Sequence, residues 1–258
     1  MIVKRMFPCL LAAVFLLFIS FQGSSLAAER KITVAGASDL SMAFKDMARE
    51  FEKETGFKAV LSLGSTGMLA RQIEQGAPFD AFFAANKKYV EELEKGGFIL
   101  PGTVELYAEG RLAVAVRSGG SVKAASLEEL KKNNIRKIAI ANPEHAPYGI
   151  AAMEALKSAG LWEELKSRLV YGENIRQALQ FVESGNAEAG IVALSIVNVP
   201  GIEYAVVPKK LHRPIAQAAG VVSTSKEKEA AAAFIKFVNG PKGSPIMKKY
   251  GFLPPGSK

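Results

Sequence analysis

Four short polar turns hold most of the chemistry this sequence offers: Ser38-Asp39, Gly64-Ser65-Thr66-Gly67, Pro147-Tyr148-Gly149 and Asn174-Ile175. Each follows an apolar run and opens a segment with helical spacing. At a helix start the first backbone N–H groups have no intrahelical partner, and the peptide dipoles present positive charge. Donors gathered from several such starts, two in each half of the chain, would hold a small anion without a cation in the pocket. Hydrogen bonds to a charged acceptor are about twice as strong as neutral ones, so several together can offset dehydration of a dianion. Alone, Gly64-Ser65-Thr66-Gly67 would be only a capping turn with Ser65 or Thr66 as N-cap. Asp39 speaks against a simple anion site. The expectation is that its carboxylate caps the helix while its backbone N–H, or Ser38, faces the ligand.

Other chemistries find less support. His145 and His212 are the only histidines, and Cys9 the only cysteine. Gly36-Ala37-Ser38-Asp39-Leu40 approaches a Gly-x-Ser-x-Gly nucleophile elbow but lacks the last glycine that supports the sharp turn. A secreted serine hydrolase using Ser38 and a histidine is therefore a rival reading, and the minor one. Gly64-Ser65-Thr66-Gly67 lacks the lysine of a phosphate-binding P-loop. Glu144 beside His145 reads as a solvated pair in a loop, with no further ligand at metal spacing. Arg71 and Arg176 read as surface charge, able at most to attract anions from a distance. Trp162, Tyr171 and Tyr89 read as core.

Positioning these turns requires alternating strands and helices. Ile32-Thr33-Val34-Ala35 is a strand, and Leu40, Phe44, Met47, Ala48 and Phe51 form one helical face that Gly56 ends. Ala59-Val60-Leu61-Ser62-Leu63 repeats the strand, and Met68, Leu69 and Ile73 begin the next helix. A third strand at 79–84, a helix at 87–95 and a strand at 111–116 follow. The loose Ser118-Gly119-Gly120-Ser121 is expected to lead into a second half of the same organisation, with strands at 137–141, 189–194 and 204–207. A return strand at 218–222 and helices at 226–239 and 245–249 complete the chain. The expected fold is α/β: two doubly wound, parallel-sheet domains joined by a two-crossover hinge over a cleft. Domain I would comprise 29–115 and 218–258, and domain II 116–217.

The first 28 residues stand apart. Lys4 and Arg5 precede an apolar run over 6–19 and then Ser25-Leu26-Ala27-Ala28, the pattern of an export signal cleaved after Ala27 or Ala28. The run is shorter than the roughly 20 residues a membrane span needs. Cleavage would remove the only thiol, and with it disulfide and thiolate chemistry. Losing Lys4 and Arg5 would take the net charge of +8 down by two, spread over the remaining 230 of 258 residues. No dense basic block or basic-aromatic interleaving occurs, which argues against nucleic acid as a partner.

Taken in order, these motifs have a resemblance. Ala37-Ser38, Gly64-Ser65-Thr66-Gly67 running into Leu69-Ala70-Arg71-Gln72-Ile73, and Gly76-Ala77-Pro78 mark the first half. Asn142-Pro143-Glu144-His145-Ala146-Pro147-Tyr148-Gly149, Asn174-Ile175-Arg176 and Lys249-Tyr250-Gly251-Phe252 mark the second. The chain resembles the periplasmic molybdate-binding proteins of ABC importers, which have the type II periplasmic-binding-protein fold. The resemblance implies an oxyanion held by hydroxyls and amides of both domains. Ser38 and Thr66 would supply the hydroxyls, Tyr148 and Ile175 the backbone donors, with Asp39 and Ser65 beside them. Some members add a tyrosine hydroxyl where this chain has Ala193, and some carry one residue fewer at Ser38-Asp39; Tyr148 is a candidate to compensate. The implied protein is a periplasmic monomer that catalyses nothing, uses no cofactor and delivers molybdate or tungstate to an ABC permease. Its rivals are a sulfate or phosphate binder on the same fold, the hydrolase above, and a regulatory sensor domain.

Overall fold

Short apolar strands alternating with amphipathic helices lead the chain through two five-stranded sheets. The computed structural model describes residues 30–257 apart from 121, 124 and 125. The expected export signal, Cys9 and Ser121 of the loose segment lie outside the described residues. The first run is β1 (Lys31–Ala37), α1 (Ala43–Thr55), β2 (Lys58–Gly64), α2 (Thr66–Glu74), β3 (Ala81–Ala84), α3 (Lys87–Lys95) and β4 (Glu105–Gly110). Next come β5 (Leu112–Arg117), β6 (Ile138–Ala141), α4 (Pro147–Ser158), α5 (Trp162–Leu165), β7 (Leu169–Gly172), α6 (Ile175–Glu183), β8 (Ala189–Ala193) and β9 (Ile202–Val206). The chain then returns through β10 (Ile215–Val221), α7 (Lys228–Asn239) and α8 (Gly243–Lys249).

The strand orders are β2-β1-β3-β10-β4 and β7-β6-β8-β5-β9. In each sheet three strands run parallel, and the fourth and fifth are joined antiparallel to each other. The fourth is also antiparallel to the third. The sheets are therefore mixed, where wholly parallel ones were expected. Each lobe receives its fourth strand directly from the chain's passage between lobes, so that strand arrives without a crossover helix and runs against its neighbours.

Two expectations about the passage between lobes are corrected. Residues 111–116 were expected to close domain I, yet β5 pairs with β8 and β9 in the second sheet. The chain crosses at Arg111, the single residue between β4 and β5. The Gly-rich stretch read as the passage is instead a turn after β5, where Ser118 N–H donates to Gly201 O at 2.9 Å. The return strand begins at Ile215, ahead of the expected 218. β4 itself was not foreseen. Its Glu-Leu-Tyr-Ala-Glu-Gly has no apolar run, and buried Glu109 is matched by Lys209 at 3.0 Å.

The core follows from strand alternation. Phe83 on β3 faces α1 and α7 while its neighbour Phe82 faces α2 and α3, as a period of two dictates. Phe83, Phe44, Phe51 and Phe234 interlock edge to face, with centroids 4.9 Å apart for Phe44–Phe83 and 5.0 Å for Phe51–Phe234. Gly56 ends α1 at φ 72°, a conformation that side chains disfavour. Tyr171 leaves the expected core: it lies 48% exposed on edge strand β7. Trp162 and Tyr89 are only partly buried.

Phe234→Ala should remove about 3–5 kcal/mol of unfolding free energy. Urea denaturation of the ligand-free protein measures it; a loss below about 1 kcal/mol would mean that the aromatic cluster does not anchor this lobe.

Candidate functional site

The parallel strands β1, β2 and β7 each end in one of the polar turns, and β6 leads to the fourth. In open α/β sheets the crevice beyond the carboxyl ends of such strands is where ligands sit. Here the turns of both lobes meet around one small cavity. All six residues singled out from the sequence line it: Ser38, Asp39, Ser65 and Thr66 from the first lobe, Tyr148 and Ile175 from the second. Small residues, among them Ala37, Gly64 and Ala85, fill the remaining wall.

The donors differ in what they have left to give. Ser38 Oγ is buried, its residue 4% exposed, and has no hydrogen-bond partner. Thr66 Oγ1 accepts from Ala85 N–H at 3.1 Å, which leaves its own proton to donate. Asn174 caps α6 by accepting from the N–H groups of Arg176 and Gln177 at 3.0 and 3.1 Å. The cap stops short of the Ile175 N–H, the first helical donor. Tyr148 stands second in α4, behind Pro147, where a backbone N–H has no carbonyl one turn back.

Ser65 is committed elsewhere. Its hydroxyl donates to His145 O at 2.7 Å and lies 2.7 Å from His145 Nδ1. Gly67 N–H donates to the same carbonyl at 2.9 Å. A Cβ on Gly67 would stand 2.8 Å from that oxygen, so only glycine lets the two lobes approach this closely. Neither Ser65 nor Thr66 caps α2 through its side chain.

Asp39 does not cap its helical turn, contrary to expectation. Its Oδ2 accepts from Tyr148 Oη at 2.9 Å and from Gln217 Nε2 at 2.7 Å, so the carboxyl ties the second lobe to the first. Tyr107 Oη donates to Gln217 Oε1 at 2.6 Å, and Ser195 Oγ donates to the Asp39 carbonyl at 2.8 Å. Asp39 Oδ1 has no hydrogen-bond partner. Burial lifts the carboxyl to about 6; Gln217, Tyr148 and then the amides of Asp39 and Leu40 act against that rise. A net shift of that size leaves the charged carboxylate about 3 kcal/mol less favourable here than in water, after its hydrogen bonds are counted. Burial and then the adjacent Asp39 hold the Tyr148 phenol well above its usual range, as they do Tyr107. The Tyr148 hydroxyl is thus bound to Asp39, not held open in place of the donor missing at Ala193.

Sequence reasoning missed Tyr107, Ser195 and Gln217. Gln217 did leave a signal, one polar side chain inside an apolar strand, whereas Ser195 and Tyr107 left none. Arg71 is exposed, and Arg176 pairs with Glu183 at 3.0 Å, so neither guanidinium lines the cavity. Among the described residues no group of three or more His, Cys, Asp and Glu could hold a metal ion. A larger groove between α3 and α4, edged by Lys87, Lys88, Glu92, Glu154 and Arg213, is open to solvent and contains none of the six residues.

Comparisons with known proteins bear on the fold and the family. The sequence pattern of the family described as bacterial extracellular solute-binding protein matches residues 32–253. The molybdate-binding protein ModA of Azotobacter vinelandii is 42% identical over 226 residues, covering 86% of this chain and 89% of that one. ModA of Escherichia coli is 36% identical over 237 residues, covering 89% of this chain and 91% of its own. The solved structure of the Azotobacter vinelandii periplasmic molybdate-binding protein superposes with a TM-score of 0.82 at 35% identity, over 87% of this chain and 99% of that chain. Two mixed-sheet lobes of the type II arrangement, matched over nearly their whole length, place the chain in a family: it belongs to the bacterial extracellular solute-binding proteins.

Proposed function

We propose that this chain is an exported, monomeric binding protein that closes its lobes on molybdate or tungstate in the periplasm and presents the ion to an ABC permease. The observation that carries the reading is Ser38 Oγ, a buried donor with no acceptor, on the wall of a cavity where both lobes aim donors. A hydroxyl left unsatisfied in this way costs about 1–3 kcal/mol, which an anionic oxygen would recover. Ser38 and Thr66 donate from the first lobe, and the Tyr148 and Ile175 amides from the second. A tetrahedral dianion has enough lone pairs to take all four. It binds the closed arrangement better than the open one, because only closure brings the two sets together; that difference drives the lobes shut. The chain catalyses nothing. Its His145 sits against Ser65, not Ser38, and His212 Nδ1 is 2.8 Å from the neighbouring Arg213 carbonyl.

One observation favours a second reading, a phosphate binder. Asp39 Oδ1 has no partner and belongs to a cavity residue, and a protonated phosphate could donate to it. The ions are told apart by thermal unfolding with molybdate, tungstate, sulfate and phosphate added singly. At a thousandfold over its dissociation constant the right ion adds about 4 kcal/mol. Stabilisation by phosphate alone would replace the first reading with the second. Ser38→Ala should weaken molybdate binding by roughly 10- to 100-fold, the worth of one charge-assisted hydrogen bond. Gly67→Ala should weaken binding at least about tenfold while leaving ligand-free stability within about 1 kcal/mol, because it obstructs lobe contact alone. Titration calorimetry and urea denaturation measure the two quantities; equal affinity in Gly67→Ala would count against a closure mechanism.

A further inference from the structure

Asp39 is an anomaly in a cavity built of donors. Its carboxyl is fully buried, it lines the cavity, and no lysine or arginine does. A second negative charge brought into that space would meet it at close range, and like charges so placed do not both persist. One of the pair must carry a proton.

Hydrogen bonding fixes where that proton can sit. Oδ2 accepts from both Tyr148 Oη and Gln217 Nε2. The shorter contact of the Tyr107 hydroxyl, 2.6 Å to Gln217 Oε1 against 3.3 Å to Ala84 O, favours this orientation of the amide. Tyr148 Oη also lies 3.2 Å from Gln217 Nε2, where it accepts, so its own proton is directed to the carboxylate. Oδ2 is thus supplied with two donors and has no use for a proton. Oδ1 has no partner and is free to take one.

Resting on the oxyanion reading above, we propose that binding of a tetrahedral dianion draws one proton from solvent onto Asp39 Oδ1. The residue then meets the ligand as a neutral acid and donates to it as a fifth donor. An O–H bond forms on Oδ1, the proton comes from water or buffer, and nothing is oxidised or reduced.

The side chains in hydrogen-bond contact with the Asp39 carboxyl are uncharged. Tyr148 on α4 and Tyr107 on β4 are buried phenols held neutral. Gln217 on β10 is uncharged, and Ser195 after β8 touches only the backbone carbonyl. His145 is engaged by Ser65. Glu109, beside the Gly110 that abuts Tyr148, is paired with Lys209. The N–H groups of Asp39 and Leu40 favour the charged form without hydrogen-bonding Oδ1. With the lobes closed, burial already places the carboxyl near 6, so above that pH the empty closed site is ionised and must gain a proton to hold the ion. The sign follows: affinity is level below about pH 6 and falls about tenfold per unit above it.

Titration calorimetry with sodium molybdate at pH 8, in two buffers of different ionisation enthalpy, counts the protons directly. The expected result for the wild type is about one proton taken up per ion bound. Asp39→Asn should take up none, and its affinity should stay flat between pH 6 and 8 while that of the wild type falls about tenfold from pH 7 to 8. Should Asp39→Asn not fold, the proton count and pH series of the wild type decide alone. Molybdate binding with no proton uptake would overturn this inference and leave the oxyanion reading standing. Tighter binding of phosphate than of molybdate would overturn it too, since Asp39 would then be the acceptor for the ligand's own proton. Binding of none of molybdate, tungstate, sulfate or phosphate would remove both readings together.

Discussion

A buried donor must find an acceptor, and at the junction of the two lobes that requirement shapes everything around it. Ser38 Oγ is sealed from water without one, while Thr66 Oγ1 accepts from Ala85 N–H and keeps its own proton to give. Asn174 takes the second and third amides of its helix and leaves the first. Each is a small local deficit, and the deficits converge on a single space. No individual donor there is unusual; the sum of them needs an anion.

The lobes meet through a more polar set of contacts than those inside the first lobe, though Ala37, Ala85 and Ile215 also pack on the core of the second. Inside the first lobe, phenylalanines lock edge to face, a contact made by shape and area. Between the lobes the contacts include hydrogen bonds: Ser65 and Gly67 to His145, Tyr148 to Asp39, Ser195 to the Asp39 carbonyl. Water can replace such bonds when the lobes part, at little net cost. A junction of this sort opens without unfolding either side. The glycines at 67 and 110 serve the same end, since a methyl group at either would collide with His145 or Tyr148.

Much of this was legible in the chain. Alternating strand and helix patterns gave the two-lobed α/β plan, and helix-start chemistry together with the family resemblance picked out six of the residues that line the cavity. Gly56 and Asn174 stand where a stop and a cap were read, because both signals are local and their physics acts within one turn. What escaped was whatever depends on distant pairing. The assignment of β5 to the second sheet is decided by β8 and β9, far along the chain. The partners of Asp39 lie 109 and 178 residues away, so a local rule could only guess at capping. Tyr171 misled for a similar reason: its strand proved to be an edge, which leaves one of its flanks to water.

The passage at Arg111 has one further effect. With a single residue between two paired strands, the tether has almost no slack. In the closure proposed above, so short a joint favours a swing of the lobes over a slide, and the gap between Ser38 and the Ile175 amide would close along a narrow arc. Such a jaw gauges its guest by diameter: an ion too small leaves the far amides unreached, and one too large stops the arc before His145 meets Gly67.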